Sequence, residues 1–136
     1  MKYSLSILLV VALAVTFFSF QDKPKFDLKT SMAKGKDVYS SYCTSCHMEQ
    51  GEGLEDVYPP LAKSDYLMAD KKRMIQQILY GATGPMKVNG KTYNAEMTGF
   101  ELSDQDVSDL SNYIRNSFGN KGPAVMPDEV KAARKK

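Results

Sequence analysis

The chain has 136 residues, with 18 Lys and Arg against 16 Asp and Glu and a single histidine, for a formal net charge of +2. A balance this even, without a basic stripe, excludes nucleic acid as a partner. Behind an apolar N-terminus about 115 residues remain, enough for one domain with one core.

Met1, Lys2 and Tyr3 lead into "SLSILLVVALAVTFFSF", and no charge follows until Asp22. One basic residue before an apolar run is an export pattern, so residues 1–20 read as a signal peptide or N-terminal membrane anchor. The protein is then expected to be exported and periplasmic, either soluble or tethered. Ser19-Phe20-Gln21 is a poor small-residue cleavage site, and the run falls just short of the roughly 18 to 20 residues of a spanning helix. Cleavage and retention both stay open, and with retention goes membrane contact through residues 4–20. No cysteine follows closely enough for lipid attachment.

Residues 21–30, "QDKPKFDLKT", combine charge and a proline with little apolar pattern and read as a tether. The domain is placed at residues 31–120. Gly35, Val38, Tyr39 and Tyr42 recur at helical spacing, with Thr30 or Ser31 as N-cap, which predicts a helix of about three turns running into Cys43. Gly35 inside it costs roughly 1 kcal/mol against alanine. Either another element packs closely on its bare backbone, or the glycine is simply tolerated.

"GEGLEDVYPPLA", residues 51–62, is loop by composition. A short turn of helix is expected at Asp65 to Ala69. Asp70 then caps a helix whose apolar face is Met74, Ile75, Ile78 and Leu79, stopped at Gly81. Asn89-Gly90 offers a tight hairpin turn between Val88 and Lys91 rather than a real sheet. Ser103 caps the last main helix with Asp106 in capping-box spacing, and Leu102 is placed to staple against Val107. Val107, Leu110, Tyr113, Ile114 and Phe118 form its buried stripe, Arg115 sits in the last turn, and Gly119 ends it. Residues 121–136 form a C-terminal extension in which "PDEVKAARKK" offers a short helix from Pro127 and "KAARKK" reads as a solvated basic end.

Three main helices and almost no strand pattern make an all-α domain whose loops are too long for its own core. Loops of that length inside a compact domain ask for an organising ligand or a function.

"SYCTSCHMEQGEG" supplies the ligand. Cys-x-x-Cys-His is the attachment signal for c-type haem. Cys43 and Cys46 at a helix end project to one side, in reach of two vinyl groups of a porphyrin, and His47 comes under the ring to bond iron. A thioredoxin-like pair would need a preceding strand and a βαβ context. A structural zinc site would need a fourth ligand. A disulfide closing so short a loop adds little stability. The expected cofactor is therefore one covalently attached haem c per chain.

With His47 the only histidine, ligation by two histidines of this chain is excluded. Methionine is the usual partner in single-haem carriers, and its thioether raises the reduction potential. Met1 belongs to the export segment, Met48 adjoins His47, Met74 sits on a core helix face, and Met32, Met68 and Met126 lack context. Met86 and Met97 remain in the irregular segment between the last two main helices. Met97, just ahead of the capped final helix, is the expected axial ligand, and Met86 the alternative.

The chain resembles class I cytochrome c in its small single-haem bacterial form. The likeness spans about Ser31 to Asn120 and rests on "GKDVYSSYCTSCH", "YPPLAKSDYL", "VNGKTYNAEMTGF" and "LSDQDVSDLSNYIRNSFGN", in the family's order. It implies that the first and last helices cross, Gly35 and Tyr39 meeting the face of Leu110 and Tyr113. It implies a proline carbonyl accepting from the His47 imidazole, at Pro60, and it matches Met97 to the family's methionine ligand. Glu96 before that methionine and the tail after Asn120 depart from the simplest pattern.

The expected function is a one-electron carrier between membrane or periplasmic redox proteins, with a donor and an acceptor as partners and a membrane respiratory complex as a candidate for either. It is not expected to be an enzyme by itself. One alternative is a dedicated electron-entry subunit of an oxidoreductase, and another is a haem enzyme or sensor with an open distal face, against which the missing distal histidine counts. Lys87 and Lys91 are candidates for docking an acidic partner, with plain solvation the blander reading.

Overall fold

The computed structural model describes residues 25–134. The expected signal or anchor at residues 1–20 lies outside the described residues, as do residues 21–24 of the expected tether.

Among the described residues six helices and one hairpin follow in chain order: α1 (Leu28–Tyr42), α2 (Thr44–His47), α3 (Asp65–Ala69), α4 (Lys71–Tyr80), β1 (Met86–Val88), β2 (Lys91–Tyr93), α5 (Asp104–Arg115) and α6 (Pro127–Ala133). The all-α class with long loops is what the sequence predicts.

α1 starts three residues before the expected domain boundary. Its cap is Asp27, whose carboxylate accepts the Thr30 N–H at 2.7 Å, rather than Thr30 or Ser31. Ser31 is unavailable as a cap because it is buried and its hydroxyl donates to the Asp109 carboxylate on α5. The two helices cross at Gly35, where an added Cβ would lie 2.0 Å from the Asp109 carbonyl oxygen and 2.9 Å from the Leu110 nitrogen. The glycine is therefore a condition of the crossing, which is the most extensive helix contact in the described fold. One helical turn on, Tyr39 packs 5.4 Å from the Tyr113 ring and 5.3 Å from Phe118.

α4 buries Met74, Ile75, Ile78 and Leu79 as its spacing predicts, capped by the Asp70 side chain on the Arg73 N–H. α5 is capped by Ser103, whose hydroxyl accepts the Asp106 N–H at 3.1 Å and donates to its carboxylate at 2.6 Å. Val107, Leu110 and Ile114 are buried. The helix ends at Arg115, earlier than expected, so Phe118 lies beyond it in a left-handed conformation (φ 58°) and Gly119 is not its stop. A side chain closes the end instead: the Asn120 amide donates to the Ile114 carbonyl and to the Leu61 carbonyl, both at 2.8 Å.

The hairpin forms around Asn89 and Gly90, both at positive φ, the pairing of signs that a two-residue turn requires. Asn89 and Asp65 exchange side chain-to-backbone hydrogen bonds, tying the turn to α3.

Residues 121–134 are part of the packed structure. The Asn112 amide brackets Val125 like a neighbouring strand, donating to its carbonyl at 2.9 Å and accepting its N–H at 2.7 Å. α6 then lies on α4 and α5 and buries Val130 and Ala133. In the expected solvated end Arg134 pairs with Asp104 at 2.6 Å, and just ahead of it Glu129 pairs with Lys71 at 2.5 Å.

Candidate haem site

α1 delivers its last carbonyls to Cys43, and the chain makes one further turn, α2, in which the His47 N–H donates to the Cys43 carbonyl at 2.9 Å. That turn puts Cys43, Cys46 and His47 on the wall of one cavity of about 370 Å³. Neither cysteine is in a disulfide. Burial, helped by the Cys46 sulfur, pushes the Cys43 thiol up to about 11. Burial also lowers the His47 pKa, opposed by a hydrogen bond to backbone, so the ring is neutral at pH 7.

The partner in that bond corrects one expectation. His47 Nδ1 lies 3.0 Å from the carbonyl of Pro59, not Pro60. Leu54 and Tyr58 pair through their backbones at one end of the segment, and Leu61 and Ala62 both donate to the Gly51 carbonyl at the other. Between these two fixed points it is the Pro59 carbonyl that turns to the ring, while Pro60 lines the cavity. Adjacent prolines look alike in sequence, and only the anchoring on either side separates them. Because a carbonyl can only accept, Nδ1 carries the proton and Nε2 keeps its lone pair.

Across the chain, Met97 lines the same cavity, as do Met86 and Met74. Met86 is paired with Tyr93 in the hairpin and Met74 sits on α4, while Met97 is held by its own bridge: its N–H and carbonyl exchange hydrogen bonds with Ala82, each at 2.9 Å. Two glycines allow this approach. A Cβ on Gly81, at φ +80°, would meet the Met97 carbonyl oxygen at 2.2 Å, and one on Gly99 would meet the Leu79 carbonyl oxygen at 2.6 Å.

The rest of the wall is largely apolar, with Leu61, Leu67, Ile78, Val88, Leu110 and Ile114. Two thiols, one imidazole with a free lone pair and a tethered thioether on an apolar cavity are the donor set that a covalently held haem requires. The residues fit the group.

Lys91 does not stand free for docking: its ammonium lies 3.0 Å from the Glu55 carboxylate and 2.8 Å from that of Asp56, strapping the hairpin to the loop after His47. Lys87 is exposed. The Pro59 carbonyl, the Ala82 pairing and the Asn120 clamp escape sequence reasoning. Of these only the Ala82 pairing leaves a trace, in the glycines at positions 81 and 99.

Residues 32–118 match the family described as Cytochrome c. The chain is 32% identical over 119 residues to cytochrome c-552 of Thermus thermophilus, the match covering 80% of each. It is 32% identical over 95 residues to the cytochrome c subunit of alcohol dehydrogenase (quinone) of Gluconobacter oxydans, covering 68% of this chain and 20% of that one. To the gluconate 2-dehydrogenase cytochrome c subunit of Pantoea cypripedii it is 34% identical over 106 residues, covering 74% of this chain and 24% of the other. It thus spans only a fifth to a quarter of those dehydrogenase subunits. The chain belongs to the cytochrome c family. It is a haem protein of electron transport, with haem c held covalently and redox proteins as its partners.

Proposed function

We propose that the chain is a single-haem electron carrier in which Cys43 and Cys46 form the thioether bonds and His47 and Met97 are the axial ligands of iron. The observation that carries this reading is the convergence of the two cysteines and His47 with the backbone-fixed Met97 on one apolar cavity.

Bound haem supplies a one-electron iron couple. His47 donates its Nδ1–H to the Pro59 carbonyl and offers Nε2, in a ring orientation that the hydrogen bond fixes. Met97 offers a soft thioether that favours the reduced state and raises the potential. The aliphatic wall keeps water from the iron, so little solvent must reorganise as charge changes. With His47 and Met97 both supplied by this chain to hold the iron, no acid, base or nucleophile would be called for. The protein then acts as a carrier and is not an enzyme by itself.

The carrier works between a donor and an acceptor in the periplasm, soluble or held by residues 1–20. Mass measurement of the mature N-terminus tells the two apart: a mass lacking the apolar run means a cleaved signal. The resemblance to dehydrogenase cytochrome subunits favours a second reading, an electron-entry subunit dedicated to one oxidoreductase. Stable co-purification with such an enzyme would support it. Among the described residues no helix is long and apolar enough to cross a membrane.

Redox-monitored optical titration of the holoprotein tests the ligation. Met97→Ala is expected to abolish the sulfur-to-iron absorption at the red edge of the ferric spectrum and to lower the potential. An unchanged spectrum rejects Met97.

A further inference from the structure

The residue that follows His47 adopts a backbone conformation that its side chain disfavours. Met48 has φ 62° and ψ 172°, a region essentially reserved for glycine and held by other residues only where the surroundings over-determine it. This is not a frayed end, because the Met48 N–H donates to the Thr44 carbonyl at 2.9 Å and closes α2.

What over-determines it is visible on the other side of the peptide. The Met48 carbonyl accepts from the Tyr39 hydroxyl at 2.6 Å and, more weakly, from the Gly51 N–H at 3.3 Å. Tyr39 is only 2% exposed, its ring gripped by Tyr113 and Phe118 at the crossing of α1 and α5. A ring so held does not follow a moving carbonyl. Burial raises its pKa well above the usual phenol value, so the hydroxyl is a donor at any working pH. Tyr39 does not line the cavity.

From these contacts we infer that Tyr39 is a positioning residue for His47: its hydroxyl holds the strained Met48 peptide, and that peptide fixes the imidazole of the preceding residue. The assignment rests on His47 being an axial ligand. A phenylalanine would fill the same volume, so only the hydroxyl separates positioning from packing. Without it the Met48 carbonyl keeps only the long bond from Gly51. The peptide is then free to rotate out of its strained state, and the His47 bond to Pro59 shifts with it.

The test is a cycle of four holoproteins: the unaltered chain, Tyr39→Phe, Met48→Gly and the double variant. The readouts are the His47 imidazole resonances of the ferric form, the ratio of reduced to oxidised protein at fixed poise, and thermal melting. Y39F is expected to move the resonances and change the ratio about threefold, or about 28 mV at 59 mV per tenfold for one electron. In the M48G background, where glycine holds the conformation without strain, the same substitution is expected to have less than a third of that effect.

A folded Y39F with unmoved resonances and ratio overturns the assignment in favour of packing alone. Equal effects in both backgrounds overturn it too, since the hydroxyl would then act without the Met48 peptide. If Y39F does not assemble, M48G decides: a raised melting temperature with unmoved resonances supports the strain, and no rise overturns it. Absence of axial imidazole resonances in the unaltered chain overturns the ligation beneath, and this assignment with it.

Discussion

On one side of the cavity His47 stands on a helical turn, its ring bonded to Pro59 and the next peptide bonded to the buried Tyr39. On the other, Met97 stands in a loop, and its place depends on two backbone hydrogen bonds to Ala82 and on bare glycines at positions 81 and 99. The first wall has backbone pairings around Gly51 and, in addition, side chains that reach back into the helix crossing, so it moves only if the core moves. The second is held by main chain against main chain, where a single added methyl group is enough to part the strands. The Met97 side is the one expected to open first.

Removing the two proposed ligands gives the largest effect. His47→Ala is expected to abolish the low-spin spectrum and to destabilise the loop through residue 62. Met97→Ala should leave attachment and fold intact and produce a high-spin ferric form. Optical spectra and circular dichroism of both variants check the asymmetry, and equal loss of fold in the two would break it.

Gly81→Ala comes next. Its φ of +80° and the 2.2 Å approach to the Met97 carbonyl oxygen put the backbone cost at about 1–3 kcal/mol. The loss should appear as Met97 detachment at a denaturant concentration below global unfolding, read by following the thioether absorption and the helix signal together.

Asn120→Ala probes the His47 wall. It strips the donor from the buried carbonyl of Ile114 and the half-buried one of Leu61 and is expected to cost about 1–3 kcal/mol. Because that wall is tied to the core, unfolding should remain a single transition, with ligation and helicity lost together.

The smallest effect belongs to neither wall. The Lys71 ammonium, then the Met126 N–H, lowers the Glu129 pKa below its ordinary 4.5. A lowered folded pKa adds stability above the unfolded value, and that stability is lost as pH falls from 4.5 through the folded value. Both partners are partly exposed, so the contribution is at most about 1 kcal/mol. Glu129→Gln should flatten the acid limb of stability against pH and leave the absorption spectrum unchanged.

Much of this was legible before any coordinates. Asp70 and Ser103 announced the starts of α4 and α5, Asn89-Gly90 announced the hairpin, and Cys43, Cys46 and His47 announced a haem. These are signals between residues a few positions apart, and local chemistry fixes them. Ser31 illustrates where that reasoning stops: it is a good cap by type, yet its hydroxyl serves Asp109, 78 positions away. Phe118 fits the α5 stripe by spacing, yet the helix has already ended and Asn120 has closed it. Lys91 reads as a free charge until Glu55 and Asp56 are folded against it.

The amino-acid order alone was sufficient for the class, the haem and most of the helix positions, because capping, periodicity and the haem motif act over one or two turns. Which proline carbonyl meets His47, how Met97 is held, and why Met48 accepts an unfavourable backbone were decided by packing between distant segments. Those answers depend on Tyr39, Ala82 and the anchored loop around Gly51 arriving together, and no short stretch of sequence contains them.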